Sequence, residues 1–336
     1  RKSSVLIPET NNQPVIDKKL KVYDMLIKDK AILTNTSELE LRGNLNAEGN
    51  ISSRQGDIYF TGSNLQEINL KSATEIQSLV IDNPENVKLT EGDIDIFSQV
   101  KLIQGDFITN HSGHPEEDRL ITFKSDSLNT AIFSETNQGK IIGNVRIERF
   151  LSKSNRAFRY LSSSVNSAFS INSNWQEGVN NTVNKYDSNK NPYPKYGTHI
   201  TGSKQGHNGF DATHTGNPSL FTWNINSNSW KALPNTNQTK LEAGKGYSLL
   251  VRGDRSTNIY SNNSAYTGST TLRTIGELKI GDVDVSDQLN KAPNGFTLIG
   301  NPYQAQVDMK KALKENSAHL KQNFYYAWSP SLQTRG

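Results

Sequence analysis

The feature that most constrains the fold is a phrase of roughly 20 residues that the first half of the chain repeats. Short segments of alternating apolar and polar residues follow one another from about residue 30 to residue 150, separated by Gly, Asn or Asp. In "LELRGNLNAEGNI" (39–51) the alternation places Leu39, Leu41 and Leu45 on one face. Ile94, Ile96, Val100 and Leu102 repeat the pattern in "IDIFSQVKLIQGDFI" (94–108). The first half is therefore predicted to consist of short β-strands.

A strand this short cannot bury its apolar face alone, whereas stacked turns of a coil bury a continuous strip. The near-regular spacing of the segments therefore favours a β-solenoid. An ordinary β-sandwich is the alternative, because short strands separated by polar turns also fit that fold.

The second half uses longer segments, larger loops and most of the aromatic residues. Its predicted strands lie within "NRAFRYLSSSV" (155–165), "SLFTWNINSNSWKAL" (219–233), "LEAGKGYSLLVRGD" (241–254) and "GFTLIGNPY" (295–303). One short helix is predicted over 306–319, with Asp308 as its N-cap. In the same half, the Gly-Asn-Pro turn at 300–302 has no Lys-Ser/Thr after it and is not predicted to bind phosphate.

These patterns predict an all-β protein in which a right-handed β-solenoid is followed by a β-sandwich-like domain with one short helix. The predicted boundaries are an N-terminal extension or linker at 1–29, the solenoid at 30–147 and the β-sandwich-like module at 148–336. We expect that module to be cut short at its C-terminus.

Composition narrows the classes of function. The 336 residues contain no cysteine, which removes disulfides, thiolate metal sites and cysteine nucleophiles. No apolar run approaches the roughly 20 residues that a membrane-spanning helix needs. The net charge is +4, yet residues 37–118 hold 15 Asp and Glu against 5 Lys and Arg. The positive charges elsewhere form no compact cluster with interleaved aromatic residues, so nucleic acid is not an expected partner.

The segment from 56 to 109 resembles the β-solenoid turns of large surface proteins that bacteria export by type IX secretion. The residues that carry the resemblance are Gly56, Ile58, Phe60, Gly62, Ser63, Gln66, Ile68, Leu79, Ile81, Asn83, Val87 and Leu89. The second half is similar to the β-rich module that precedes the sorting domain of the same proteins. Its matching phrases include "GTHITG", "NGFDATHTGNPSLFTWN" and "NGFTLIGNPYQAQVDM". The sorting domain itself has no counterpart within 1–336.

The resemblance implies a non-catalytic scaffold or adhesin at the outer cell surface or outside the cell, carried there by type IX secretion. Its expected partners are the secretion and attachment machinery of the outer membrane and surface glycans. One alternative is a carbohydrate-binding module that serves a catalytic domain outside this chain. A second alternative is a polysaccharide-active enzyme, for which Glu177 and Asp211 are the nominated carboxylates.

Two short signals suggest modification and calcium binding. Asp126-Ser127-Leu128 is similar to the O-glycosylation tripeptide of bacteria with this secretion route, which makes Ser127 the candidate acceptor. Asp187, Asn189 and Asn191 alternate as the oxygen ligands of a calcium loop do, although Pro192 stands where the turn glycine belongs. Calcium is the only candidate cofactor, and no other metal site is predicted.

Aromatic residues supply the candidate binding site. Trp223 and Trp230 flank "NINSNS", a predicted hairpin turn, and an exposed pair there could stack on sugar rings. The competing interpretation is that these rings belong to a β-sandwich core. The other motifs favour plain loops: the run 111–118, with His111 and His114, contains Gly113 and Pro115, and the Arg-Gly-Asp at 252–254 follows a predicted strand. His199, His207 and His214 lie in a polar region near Asp211 without a nucleophile-elbow motif.

Overall fold

The structure is a computed structural model of the chain. It describes residues 3–110, 119–136, 138–155, 157–183, 193–260, 266–293, 295–316, 318, 320–321 and 324–327. Strands make up 43% of it, and the predicted all-β class with a β-solenoid is confirmed. The solenoid has about six turns. Within the described ranges, no helix has both the length and the apolar character needed to cross a membrane.

The chain divides into two compact units. The first comprises Arg1–Arg149 and Ile275–Leu278, and the second comprises Phe150–Thr274 and Lys279–Gly336. The main division falls two residues after the predicted end of the solenoid at 147.

The first unit contains the strands of the solenoid. In chain order they are β1 (Val5–Ile7), β2 (Val15–Ile16), β3 (Leu20–Val22), β4 (Met25–Ile27), β5 (Ile32–Asn35), β6 (Glu38–Leu41), β7 (Leu45–Ala47), β8 (Asn50–Phe60), β9 (Gln66–Leu70), β10 (Thr74–Asp82), β11 (Val87–Glu91), β12 (Ile94–Gln104), β13 (Phe107–Ile108), β14 (Ile121–Phe123), β15 (Ile132–Phe133), β16 (Ile141–Ile142) and β17 (Asn144–Leu151, of which the last two residues belong to the second unit). One parallel sheet has the order β1-β4-β7-β9-β11-β13-β16, and a second contains β2-β5-β8-β10-β12-β14-β17. Each sheet thus takes one strand from each successive turn.

The length of a turn follows from the strand register. Val5 pairs with Met25 and Met25 pairs with Leu45, so the first two turns are equal in length. Because β1 pairs in this way, the first turn of the solenoid lies inside the segment 1–29. The predicted extension there is corrected: its strands have only two or three residues each, too few to show a period in the sequence.

Apolar columns run through the interior of the stack. Leu39, Ile58, Leu79 and Val100 are in register on four successive turns and are fully buried. Burying a side chain of this size stabilises a fold by roughly 1.5–3 kcal/mol, and every turn adds another member to the column. The predicted alternation in 39–45 and 94–102 has this interior column as its physical basis.

A buried amide cluster fixes one corner of the coil. The Gln66 side chain donates to the carbonyl oxygens of Leu41 and Gly43 on the preceding turn. Its oxygen accepts hydrogen bonds from the Gly62 amide at 2.8 Å and from Asn83 Nδ2, on the following turn, at 2.9 Å. Several residues of the quoted resemblance therefore join three turns, which explains why amides occur at these interior positions.

A second ladder of polar side chains lies on the outside of the turns. The Asp24 side chain accepts a hydrogen bond from the Asn44 amide, and the Asn44 side chain accepts one from the Glu67 amide. Asn86 and Asp106 repeat this arrangement with the amides of Asp106 and Lys140. Each side chain therefore binds the backbone of the next turn and helps to set the register.

The second unit contains the remaining elements. They are β18 (Ser154–Asn155), β19 (Ala157–Ser162), β20 (Val165–Asn166), α1 (Ile171–Trp175), β21 (Thr201–Ser203), β22 (Asp211–Ala212), β23 (Leu220–Asn224), β24 (Ser229–Ala232), β25 (Gly246–Val251), β26 (Tyr266–Thr267), β27 (Thr270–Leu278, of which the last four residues belong to the first unit) and α2 (Met309–Glu315). Trp175 packs edge-on against Tyr247 at a ring distance of 5.4 Å in an apolar core. The antiparallel sheet β19-β25-β23-β24 contributes side chains to that core.

The helix prediction is confirmed in part of its length. α2 begins after Asp308, whose carboxylate accepts the amides of Lys310 and Lys311 as an N-cap does. α1 was not predicted: it has five residues, and Ser170 caps it. The predicted strand at 295–303 is wrong, because this segment makes a single bridge between Lys245 and Ile299 and leaves Phe296 52% exposed.

Candidate functional site: an aromatic face on a four-stranded sheet

One face of the sheet β19-β25-β23-β24 carries aromatic side chains from three of its strands. In β23, Phe221 and Trp223 are two residues apart and therefore share a face. Trp230 in β24 lies directly opposite Trp223 in the antiparallel register. Phe158 and Tyr160 in β19 complete the set, and their rings contact Phe221 and Trp230, respectively.

The three outer rings form a partly exposed cluster. The Tyr160 and Trp230 rings are 5.5 Å apart and inclined at 44°, with 46% and 39% of the residues exposed. The Trp223 and Trp230 rings are 5.1 Å apart and nearly perpendicular, at 78°. Trp223 and Trp230, the predicted sugar-stacking pair, are thus in contact, but they do not form a coplanar platform. The exposed rings are those of Tyr160 and Trp230, which we call the aromatic platform.

Trp223 has a second role in this arrangement. Its indole Nε1 donates a 2.9 Å hydrogen bond to the carbonyl oxygen of Phe296. This bond holds the segment around Phe296 against the sheet beside the β23–β24 turn. Trp223 therefore supports the platform and anchors a loop, while Trp230 remains accessible.

Ser127 lies on an exposed turn of the first unit. The turn connects β14 with β15, and the side chain of Asp126 accepts the amides of Leu128 and Asn129. These hydrogen bonds keep the pKa of Asp126 below its usual value. Asn129 Nδ2 then donates to the Phe97 carbonyl at 2.7 Å, which ties the turn to the solenoid. The candidate acceptor hydroxyl therefore belongs to an ordered turn that faces solvent.

The polar histidine region is organised around the buried carboxylate of Asp211. Asp211 is fully buried and forms a two-pronged ion pair with Arg255, with distances of 2.6 and 3.1 Å. The same carboxylate accepts the amides of Asn181 and Ile200, and His199 Nδ1 lies 3.3 Å from it. His199 Nε2 is 2.8 Å from the carbonyl oxygen of Thr257.

The electrostatic consequence is clear for Asp211. Burial acts to raise the pKa of this carboxyl, but His199 and Arg255 outweigh burial and lower the pKa to about 2. A group with this pKa is ionised at neutral pH and is unsuited to donate a proton as a general acid. The other nominated carboxylate, Glu177, is engaged by Arg273. Both carboxylates therefore serve as partners of arginine side chains.

The candidate calcium ligands Asp187, Asn189 and Asn191 lie outside the described residues, and so does the run 111–118. Within the part of the chain that the structure describes, no group of three or more His, Asp or Glu side chains is placed to hold a metal ion.

Sequence reasoning missed Tyr160 and Arg255. Tyr160 meets Trp230 across 70 positions of sequence, and Arg255 meets Asp211 across 44. The alternation in 155–165 placed Phe158 and Tyr160 on one face of a strand, and this was the only signal available for the tyrosine. Arg255 directly follows the Arg-Gly-Asp tripeptide, which predicts a turn, and no local pattern indicates that its guanidinium is buried.

Comparisons of this chain with known protein families, with curated proteins and with solved structures gave no match.

Proposed function

We propose that this chain is a non-catalytic scaffold of the bacterial cell surface, in which a β-solenoid carries a binding module. The observation that carries the proposal is the register of the solenoid, which advances by the same step over its first two turns. A coil of this kind extends by adding turns, because each turn packs only on its neighbours. The resemblance of residues 56–109 to exported surface proteins supports the same function.

The proposal includes export by type IX secretion and a location outside the cell. Treatment of intact cells with a protease tests it in the bacterium that encodes the chain. We expect the chain to be degraded on intact wild-type cells. In a strain that lacks the outer-membrane translocon of type IX secretion, we expect the chain to be protected and to accumulate in the periplasm. Protection in both strains would contradict the proposal.

Glycosylation of Ser127 belongs to the same proposal. The hydroxyl is on an exposed turn held by Asp126, so a transferase could reach it without unfolding the solenoid. Intact-mass measurement on protein from the native host should show a glycan that disappears in Ser127→Ala. The matched control is Ser134→Ala, because that hydroxyl donates to Gln99 within the same unit. A glycan that persists in Ser127→Ala would place the modification at another residue.

Carbohydrate binding is a second candidate function, favoured by the exposure of the aromatic platform. Tyr160 and Trp230 present flat apolar surfaces with polar ends, as side chains that contact sugar rings do. Retention of the purified chain on a glycan array would test this function. Trp230→Ala should lose retention, and Phe97→Ala should keep it, because Phe97 is an aromatic residue of the first unit that packs under Arg54. Equal retention by the two variants would contradict a role for the platform.

A further inference from the structure

A cavity of about 400 Å³ opens beside the turn between β23 and β24. Ile225, Asn226 and Asn228 line it from the turn. Asn290, Lys291 and Gly295 line it from the loop that follows β27. The volume is within the range of small-molecule sites in proteins, which starts at about 300 Å³.

The cavity lies on the same hairpin as two rings of the aromatic cluster. Ile225 is two residues after Trp223, and Asn228 is two residues before Trp230. Two residues span at most about 7 Å of chain, so the exposed ring of Trp230 and the cavity are neighbours on the same hairpin.

Hydrogen bonds hold the two walls of the cavity together. Asn290 Nδ2 lies 3.3 Å from the Ile225 carbonyl and 3.3 Å from Asn228 Oδ1. The backbone N–H of Asn290 donates to Thr297 Oγ1 at 2.8 Å, and Trp223 Nε1 donates to the carbonyl oxygen of Phe296. The loop is therefore fixed against the hairpin before any ligand arrives, which lowers the entropic cost of binding.

The chemistry of the lining favours sugars. Asparagine amides both donate and accept hydrogen bonds, which matches the hydroxyl groups of a saccharide. Among the described residues that line the cavity, Lys291 is the only ionisable one. A site for phosphates would present several cations, whereas this one combines neutral amides with adjacent aromatic rings.

We propose that the aromatic platform and the hairpin cavity form one extended oligosaccharide site, with one sugar stacked on Trp230 and the next hydrogen-bonded by the asparagines. This inference rests on the second candidate function, carbohydrate binding, and adds a second subsite to it.

Titration calorimetry with the oligosaccharide that the array retains best tests the two subsites separately. Trp230→Ala should weaken binding roughly tenfold, since an aromatic contact is lost. Asn228→Gly should weaken it roughly five- to tenfold, the size of one neutral hydrogen bond. Asn228 has a φ of +48°, which glycine adopts without strain, so this variant removes the amide and keeps the turn.

Two further variants complete the test. Ala292→Phe places a ring at the exposed edge of the cavity and should reduce the affinity for a trisaccharide more than that for a monosaccharide. Asn86→Gly is the matched control: it is also an asparagine with positive φ, lies in the solenoid, and should leave the affinity unchanged.

The outcomes separate the inference from the functions on which it builds. If Trp230→Ala loses binding while Asn228→Gly and Ala292→Phe bind as the unchanged chain does, the platform alone binds sugar and the extended site is overturned. If the array retains nothing, the inference and the carbohydrate-binding function both fail. The scaffold proposal would still be decided separately by protease treatment of intact cells.

Discussion

The two units are stabilised by interactions of different range along the chain. In the solenoid, Gln66 and Asn44 bind groups on adjacent turns, and their partners lie 17 to 25 residues away. In the second unit, Asp211 meets Arg255 across 44 positions, and Glu177 meets Arg273 across 96. Hydrogen bonds repeated between adjacent turns each contribute a small part of the stability of the solenoid. A buried ion pair contributes a large part of the stability of the second unit through two residues. The two units should therefore respond differently to single substitutions.

The largest effect is expected for Asp211→Ala in the second unit. The substitution leaves the guanidinium of Arg255 buried without its carboxylate, so the free energy of unfolding should fall by about 4 kcal/mol. Urea unfolding followed by tryptophan fluorescence measures this loss. All four tryptophans, at positions 175, 223, 230 and 328, belong to the second unit, so the signal reports on that unit.

The control is Glu242→Ala, which removes an exposed partner of Lys245 and should change stability by no more than about 0.5 kcal/mol. A loss below about 1 kcal/mol for Asp211→Ala would show that this buried pair does not concentrate stability.

The next largest effect is expected for Phe60→Ala in the solenoid. The free energy of unfolding should fall by about 3 kcal/mol, because removal of a fully buried ring leaves a cavity. Hydrogen exchange should become faster in β8 and in the two strands that pair with it at Phe60, β6 and β10, and stay unchanged in β1 and β16. Ile103→Ala, at a residue that is 46% exposed, should change little. A uniform rise in exchange over 5–151 would mean that the solenoid unfolds as one block.

Acid should destabilise the second unit through Asp211. Its pKa of about 2 in the folded state is lower than the value of about 3.9 in an unfolded chain, so its contribution is complete only above about pH 5. The contribution is lost as the pH falls from about 5 to about 1, and amounts to roughly 2–3 kcal/mol. Fluorescence-detected unfolding at a series of pH values should show this loss in the unchanged chain and a smaller one in Asp211→Asn. Equal acid sensitivity of the two proteins would contradict the assignment.

The smallest effect is expected for the outer ladder of the solenoid. Asn44→Ala removes the acceptor of the Glu67 amide and should cost about 1 kcal/mol, with faster exchange at that amide. Asn46→Ala, two residues further along and equally exposed, is the matched control and should be close to neutral. If the two variants are equivalent, the ladder does not set the register.

The solenoid was predictable because apolar residues alternate within each short segment and the segments recur at near-regular intervals. Its first turn was missed because β1, β2 and β3 have only two or three residues each and are too short to show alternation. In the second unit, Trp223 and Trp230 could be paired from the hairpin pattern alone. Their neighbours Tyr160 and Phe296 come from distant segments, and no local pattern encodes such contacts.

The predicted strand at 295–303 shows the same limit. Phe296 and Ile299 have the composition of a strand core, yet the segment passes over the sheet and both residues are about half exposed. The backbone of Gly300 passes close to that of Gly244. A Cβ at position 300 would lie only 2.7 Å from the carbonyl oxygen of Gly244, so the absence of a side chain at Gly300 permits this path. Composition predicted a strand, and a backbone contact with a distant segment determined the outcome.

A single distance tests most directly whether residues 5–151 stack turn upon turn, as the proposed scaffold requires. Lys21 is in register with Glu40, Tyr59, Val80 and Lys101 on successive turns, which makes four steps. At about 4.8 Å a step, the Cα atoms of Lys21 and Lys101 should be about 19 Å apart. The chain has no cysteine, so Lys21→Cys and Lys101→Cys can be spin-labelled without background. Electron–electron dipolar spectroscopy should give a narrow distribution centred near this separation after allowance for the labels. A broad distribution, or one centred at twice this separation or more, would contradict the stacked solenoid.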